Sequence, residues 1–123
     1  MNTQKRTVYE RLNDMKYLPS EILWCEREIK HWEEQNKEYE GGCFDEIIAV
    51  RKERMRKSET ELQWCVDLIA STEPEDPVLY RILCLRYIEG LTWAETALHM
   101  PIKCTDEACK QRVCRWIGTL KAN

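Results

Sequence analysis

Two apolar stripes separated by a pair of glycines constrain this chain more than any other feature. Leu18, Ile22, Cys25, Ile29, Trp32, Asn36 and Tyr39 recur at spacings that alternate four and three, and only Asn36 is not apolar. Phe44, Ile48, Arg51, Met55, Ser58, Leu62, Cys65 and Ile69 repeat the alternation, with Arg51 and Ser58 as weak points. A period of about 3.5 residues marks helices that pack along a seam. Gly41 and Gly42 lie between the stripes, and glycine reaches the left-handed conformation that commonly ends a helix. Stripes of similar length around a short turn predict an antiparallel, coiled-coil-like helical hairpin. A helical lead-in over residues 8–17 precedes it. The segment EILWCEREI reappears forty residues later as ELQWCVDLI, with four identities in nine, which shared heptad composition explains.

Four Gly and four Pro in 123 residues, with 33% charged, argue against a turn-rich β protein and against a Pro-rich disordered chain. The expected class is therefore all-α. Apolar runs stop at four residues, as in residues 47–50 and 82–85, against about 18 needed to cross a bilayer. No membrane span is expected. The opening MNTQKRTVYERL has no apolar core or small-residue cleavage site, so no secretory signal is read and a cytoplasmic location is expected. Seven cysteines, an odd number in such a chain, are expected to be free thiols.

The net charge of −3 is unevenly spread. Residues 1–76 hold 12 basic against 18 acidic side chains, and residues 77–123 hold seven against four. The excess of base at the C-terminal side is a reason to look there for an anionic partner.

Residues 73–77, Glu-Pro-Glu-Asp-Pro, form the acidic breaker expected to divide a hairpin arm over residues 1–73 from a domain over residues 77–123. Asp76 followed by Pro77 reads as a helix start, and the helix VLYRILCLRYIE should stop at Gly90. Thr92 with Glu95 makes a capping box for a short helix over residues 92–100, which Pro101 closes. Thr105 and Asp106 then open a last helix over residues 106–121. Setting Cys109, Val113, Trp116, Ile117 and Leu120 inward leaves Glu107, Ala108, Gln111, Cys114 and Arg115 outward, with Lys110 and Arg112 on the flanks. This order is that of a helix-turn-helix unit, whose last helix enters the DNA major groove. Gln can pair with adenine there, and Arg or Lys with guanine or phosphate.

The stretch LRYIEGLTWAE, residues 85–95, resembles the region-4 helix-turn-helix of bacterial sigma factors, where a Tyr-x-x-Gly-Leu turn leads into a short Thr-capped helix with an early Ala and Glu. With a charged helical hairpin ahead of it, the chain is similar to small phage and prophage transcriptional regulators of the sigma-like RinA/ArpU type. The resemblance implies that the last helix reads double-stranded promoter DNA and that the domain touches RNA polymerase. It carries Glu107, Lys110, Gln111, Arg112 and Arg115 over as base or backbone contacts, with Lys103 and Thr105 at the helix entrance. Two departures bear on this. The connection over residues 100–104 contains Pro101, is longer than usual and lacks Gly, which could rotate or shift the last helix. Asp106 and Glu107 suit the helix dipole but oppose phosphate, leaving attraction to Lys103, Lys110, Arg112, Arg115 and Lys121. A homodimer formed through the hairpin would double those contacts. No promoter-melting domain is recognisable, so promoter recognition without initiation is the expectation.

Other chemistry has less support. His99, Cys104, Cys109 and Cys114 fall every five residues, but on a helix that spacing turns successive side chains apart by about 140°, so no metal site is expected. Cys109 is expected in the core and Cys114 at the surface. There is no Gly-rich phosphate loop, Gly-x-Ser-x-Gly or His-Glu-x-x-His, so neither catalysis nor a cofactor is expected. The alternative is a helical adaptor, or a small-terminase-like DNA-recognition subunit, without a transcriptional role.

Overall fold

The computed structural model describes residues 6–39 and 41–120, and every regular element among them is helical. Helix α1 (Val8–Asp14) runs through a 3-10 turn, Met15–Tyr17, to α2 (Leu18–Glu38); α3 (Asp45–Ala70) follows the glycine turn. The remaining helices are α4 (Pro77–Leu83), which widens into a π-turn over Cys84–Ile88, α5 (Trp93–Leu98) and α6 (Asp106–Leu120). The fold is all-α, and no helix of the described residues is long and apolar enough to cross a membrane.

The chain divides into two compact units, one of residues 17–64 and one of residues 1–16 with 65–123. The cut lies inside α3 rather than at the breaker over residues 73–77. Local packing explains it. Cys65 of α3 donates to the Arg11 carbonyl of α1 at 3.8 Å, and Leu12, Met15, Cys65 and Ile69 are all buried. Tyr9 of α1 also lies close enough to Tyr87 to disfavour its ionisation.

In the unit of residues 17–64, α2 and α3 pair as an antiparallel hairpin. Asn36 near the turn meets Asp45, and Glu21 at the far end meets Arg54, which only antiparallel helices can do. Gly41 and Gly42 take φ of 98° and 64°, the left-handed values expected of them. The buried seam is thin, consisting of Cys25, Ile29 and Ile48. Polar groups reinforce it at the positions where the stripes are weak. Asn36 donates to Asp45 at 2.8 Å and accepts from the Phe44 amide at 3.0 Å, so it fastens the turn within one chain. Arg51 donates to Glu28 at 3.1 Å and lies 4.8 Å from the Trp24 ring centre, with Arg54 at 4.9 Å from the same ring. The hydrogen bond from Arg51, and next one donated by the Trp32 indole at 3.2 Å, hold the Glu28 carboxyl below its ordinary range.

The other unit is better filled. Leu79, Ile82, Leu83, Leu85 and Tyr87 are buried along α4 and its π-turn, Thr96 and Met100 in and after α5, and Cys109, Val113 and Ile117 on α6. The start signals act as the sequence suggests. Asp76 accepts from the Leu79 amide at 3.0 Å, and Thr92 and Glu95 complete their box with bonds of 3.1 and 2.9 Å. Hydrogen bonding of its carboxylate to Thr92, to the backbone amide first and then to the side chain, lowers the Glu95 pKa. Gly90 sits at φ 77°, past the end of the first helix. The π-turn was not expected. The Glu89 amide reaches back to the Cys84 carbonyl at 2.9 Å, a turn one residue wider than in an α-helix. It lets both Leu85 and Tyr87 point inward while Arg86 stacks on Trp93 at 4.9 Å and donates to the Leu91 carbonyl at 3.0 Å. That bond ties the helix to the tight turn preceding α5.

Candidate nucleic-acid interface

Helix α6 is set down by its apolar edge. Val113 is fully buried, Cys109 and Ile117 nearly so, and Trp116 and Leu120 are half-buried, which fixes the rotation of the helix. The expected outward set is outward: Glu107, Ala108, Lys110, Gln111, Arg112, Cys114 and Arg115 are all exposed. Within the described residues α6 packs against α5 and α4, so its outer face is uncovered by its own unit. The other expected contacts lie at the entrance. Lys103 and Thr105 are exposed, in the non-helical segment before Asp106. Thr105 has a structural task there, since its hydroxyl accepts from the Ala108 amide at 3.0 Å and caps α6. Lys121 lies outside the described residues.

The candidate contacts are not equivalent. Lys103, Lys110 and Arg115 make no ion pair among the described residues, so their charges are available to a partner. Arg112 instead leans toward the start of α4, with a guanidinium nitrogen 3.4 Å from both Asp76 carboxylate oxygens. Gln111 donates to Glu107 at 3.4 Å, a long contact that a base edge could replace. Gln111, Arg112 and Arg115 come together on one rim, lining a cleft of about 190 Å³ with Val78, Ile82 and Ala108. Arg112 and Arg115 also border a wider groove with Asp76, Leu79 and Trp116. Lys110 and Glu107 line neither.

The long connection between α5 and α6 takes a definite course. Helix α5 ends at Leu98, two residues earlier than expected: the His99 and Met100 amides bond three residues back, to the Thr96 and Ala97 carbonyls at 3.1 and 3.3 Å, and the His99 ring Nδ1 lies 2.8 Å from the Glu95 carbonyl. Met100 is then buried as an anchor, while Leu98 and Ile102 on either side are 81% and 50% exposed. Of the evenly spaced cysteines, Cys109 is buried and Cys114 exposed as expected, but Cys104 and Cys109 approach to 3.4 Å between sulfurs. Sequence reasoning missed the Asp76–Arg112 pair, the Trp116 groove and this thiol contact. Only the last left a signal, since Cys104 and Cys109 occupy the positions flanking a helix start where apolar side chains commonly meet. Among the described residues no three His, Cys, Asp or Glu converge so as to hold a metal ion. Comparisons with protein-family models, curated proteins and solved structures return no match for this chain.

Proposed function

We propose that this protein is a sequence-specific DNA-binding transcriptional regulator of phage or prophage type, built as a helical hairpin and a sigma region-4-like helix-turn-helix, with α6 as the reading helix. The observation that carries the reading is the outer face of α6, where Gln111, Lys110 and Arg115 are exposed together while the opposite edge is locked into the core. The amide can pair with adenine, and the cations with guanine or phosphate. Arg112 and Lys103 would add backbone contacts, Arg112 by exchanging Asp76 for a phosphate. The acidic Glu107 at the start of the face favours a base amino group over phosphate there. Contact with RNA polymerase belongs to the same proposal, as does a homodimer through the hairpin, where Leu23, Tyr39 and Val50 are 45%, 56% and 55% exposed.

A guanine-methylation protection experiment on the DNA flanking the gene tests this directly. Major-groove guanines should be protected by the wild type and deprotected by Arg115→Ala. Protection that is absent, or unchanged by the substitution, contradicts the assignment. One observation favours the adaptor reading instead. Leu98 and Ile102 present apolar surface beside Lys103, at the entrance of the same helix. An adaptor would use that surface and would survive Arg115→Ala.

A further inference from the structure

We propose that Cys104 and Cys109 form a reversible dithiol–disulfide pair that closes across the entrance of α6 when the protein meets a small-molecule disulfide. The proposal does not depend on DNA binding. It rests on the placement of two sulfurs 3.4 Å apart, one on α6 and one in the non-helical segment that leads into it. Cys109 is fixed in the first turns of α6 and is 1% exposed. Cys104 lies in the non-helical segment before the helix, is half-buried, and borders the same cleft of about 190 Å³ as Ala108 and Gln111. A disulfide needs a separation of about 2.05 Å. The remaining approach of roughly 1.4 Å is within reach of a side-chain rotation and a small shift of the segment carrying Cys104. The other buried thiols are engaged elsewhere, Cys25 with Glu21 at 3.9 Å and Cys65 with the Arg11 carbonyl at 3.8 Å.

The two thiols have distinct tasks. Burial, and next the hydrogen bond to Cys104, push the Cys109 thiol up to about 11, so Cys109 keeps its proton. Cys104, the less buried of the two, is then the sulfur that an oxidant can reach. Its thiolate attacks one sulfur of the incoming disulfide, forming a mixed disulfide and expelling one thiolate. Cys109 gives its proton to that thiolate, and its sulfur attacks the Cys104 sulfur, expelling the second thiolate, which takes up the proton Cys104 had released. Both protein thiols are thereby oxidised, and the small disulfide is reduced to two thiols. The product makes covalent the contact that sets the chain's entry into α6, so the position of Lys103 and Thr105 becomes dependent on redox state.

Oxidised and reduced glutathione in varied ratio supply the probe for the full chain, followed by alkylation and tryptic digestion. Cleavage after Lys103 and Lys110 releases Cys-Thr-Asp-Glu-Ala-Cys-Lys, with both cysteines on one peptide. The expected result is loss of two hydrogens from this peptide, no alkyl group on it, and reversal by reductant. In Cys109→Ser the same peptide should stop at a glutathione adduct on Cys104, and in Cys104→Ser it should carry an alkyl group on Cys109. The proposal is overturned if the wild-type peptide stays doubly alkylated while the exposed Cys43 and Cys114 acquire glutathione. Accumulation of a glutathione adduct on wild-type Cys104, or linkage of Cys104 to a different cysteine, also overturns it.

Discussion

At the scale of single residues, the informative positions are those where a stripe is interrupted. Asn36 and Arg51 look like defects in a seam, yet each supplies directional bonds that an apolar residue could not. Asn36→Ala removes two hydrogen bonds at the turn and should lower the unfolding free energy by about 1–2 kcal/mol in denaturant titration, whereas Lys37→Ala next to it should change little. That Asn36 and Arg51 stand in seam positions was legible from spacing. What they bond to was not, because the partners Asp45, Phe44 and Glu28 are fixed by which side chains the folded hairpin brings opposite. Cys109 makes a pH-dependent contribution whose sign follows from its burial. Its pKa is raised from 9.0 to about 11 in the folded chain, so between those values the unfolded chain binds fewer protons. Stability should therefore fall as pH rises through this window. Cys109→Ala should flatten that alkaline decline in melting temperature; an unchanged decline would show that another group causes it.

At the scale of elements, starts and stops were readable because they rest on local chemistry. Asp76, Thr92 and Thr105 each accept a backbone amide three residues on, and Gly90 holds the positive φ that its position requires. Thr92→Ala should cost about 1 kcal/mol of stability by thermal melting, and Thr92→Ser should recover most of it. The π-turn over Cys84–Ile88 was not readable, since no Pro or Gly marks it. It arises from tertiary packing, which buries Leu85 and Tyr87 together and leaves Arg86 to stack on Trp93. Burial also keeps the Tyr87 phenol neutral well above its ordinary range. The early end of α5 is instead a local tightening, in which the His99 and Met100 amides bond three residues back and Pro101 has no amide hydrogen to donate.

At the scale of the whole molecule, the division of charge between an acidic hairpin and a more basic C-terminal part was evident in the sequence, as was the outward set on α6. The compact units were less evident. The expected breaker at residues 73–77 is a real turn, but α1 and the end of α3 join the C-terminal unit through buried residues that no local signal announces. With Cys25, Ile29 and Ile48 alone buried in its seam among the described residues, and Leu23, Tyr39 and Val50 exposed, the hairpin leaves apolar surface that a second copy would cover. Sedimentation at tens of micromolar should show a dimer, and Leu23→Glu with Val50→Glu should return it to monomer. A strict monomer in the wild type would contradict that assembly. The proposed reading of DNA by the outer face of α6 is decided by titrating the DNA flanking the gene at several salt concentrations with the wild type and with Gln111→Ala plus Arg115→Ala. The wild type should bind with a slope of log affinity on log salt near −4, for about four phosphate contacts. The double variant should bind at least about tenfold more weakly, with a slope shallower by about 1. Binding that is absent, insensitive to salt, or equal in the two proteins would contradict it.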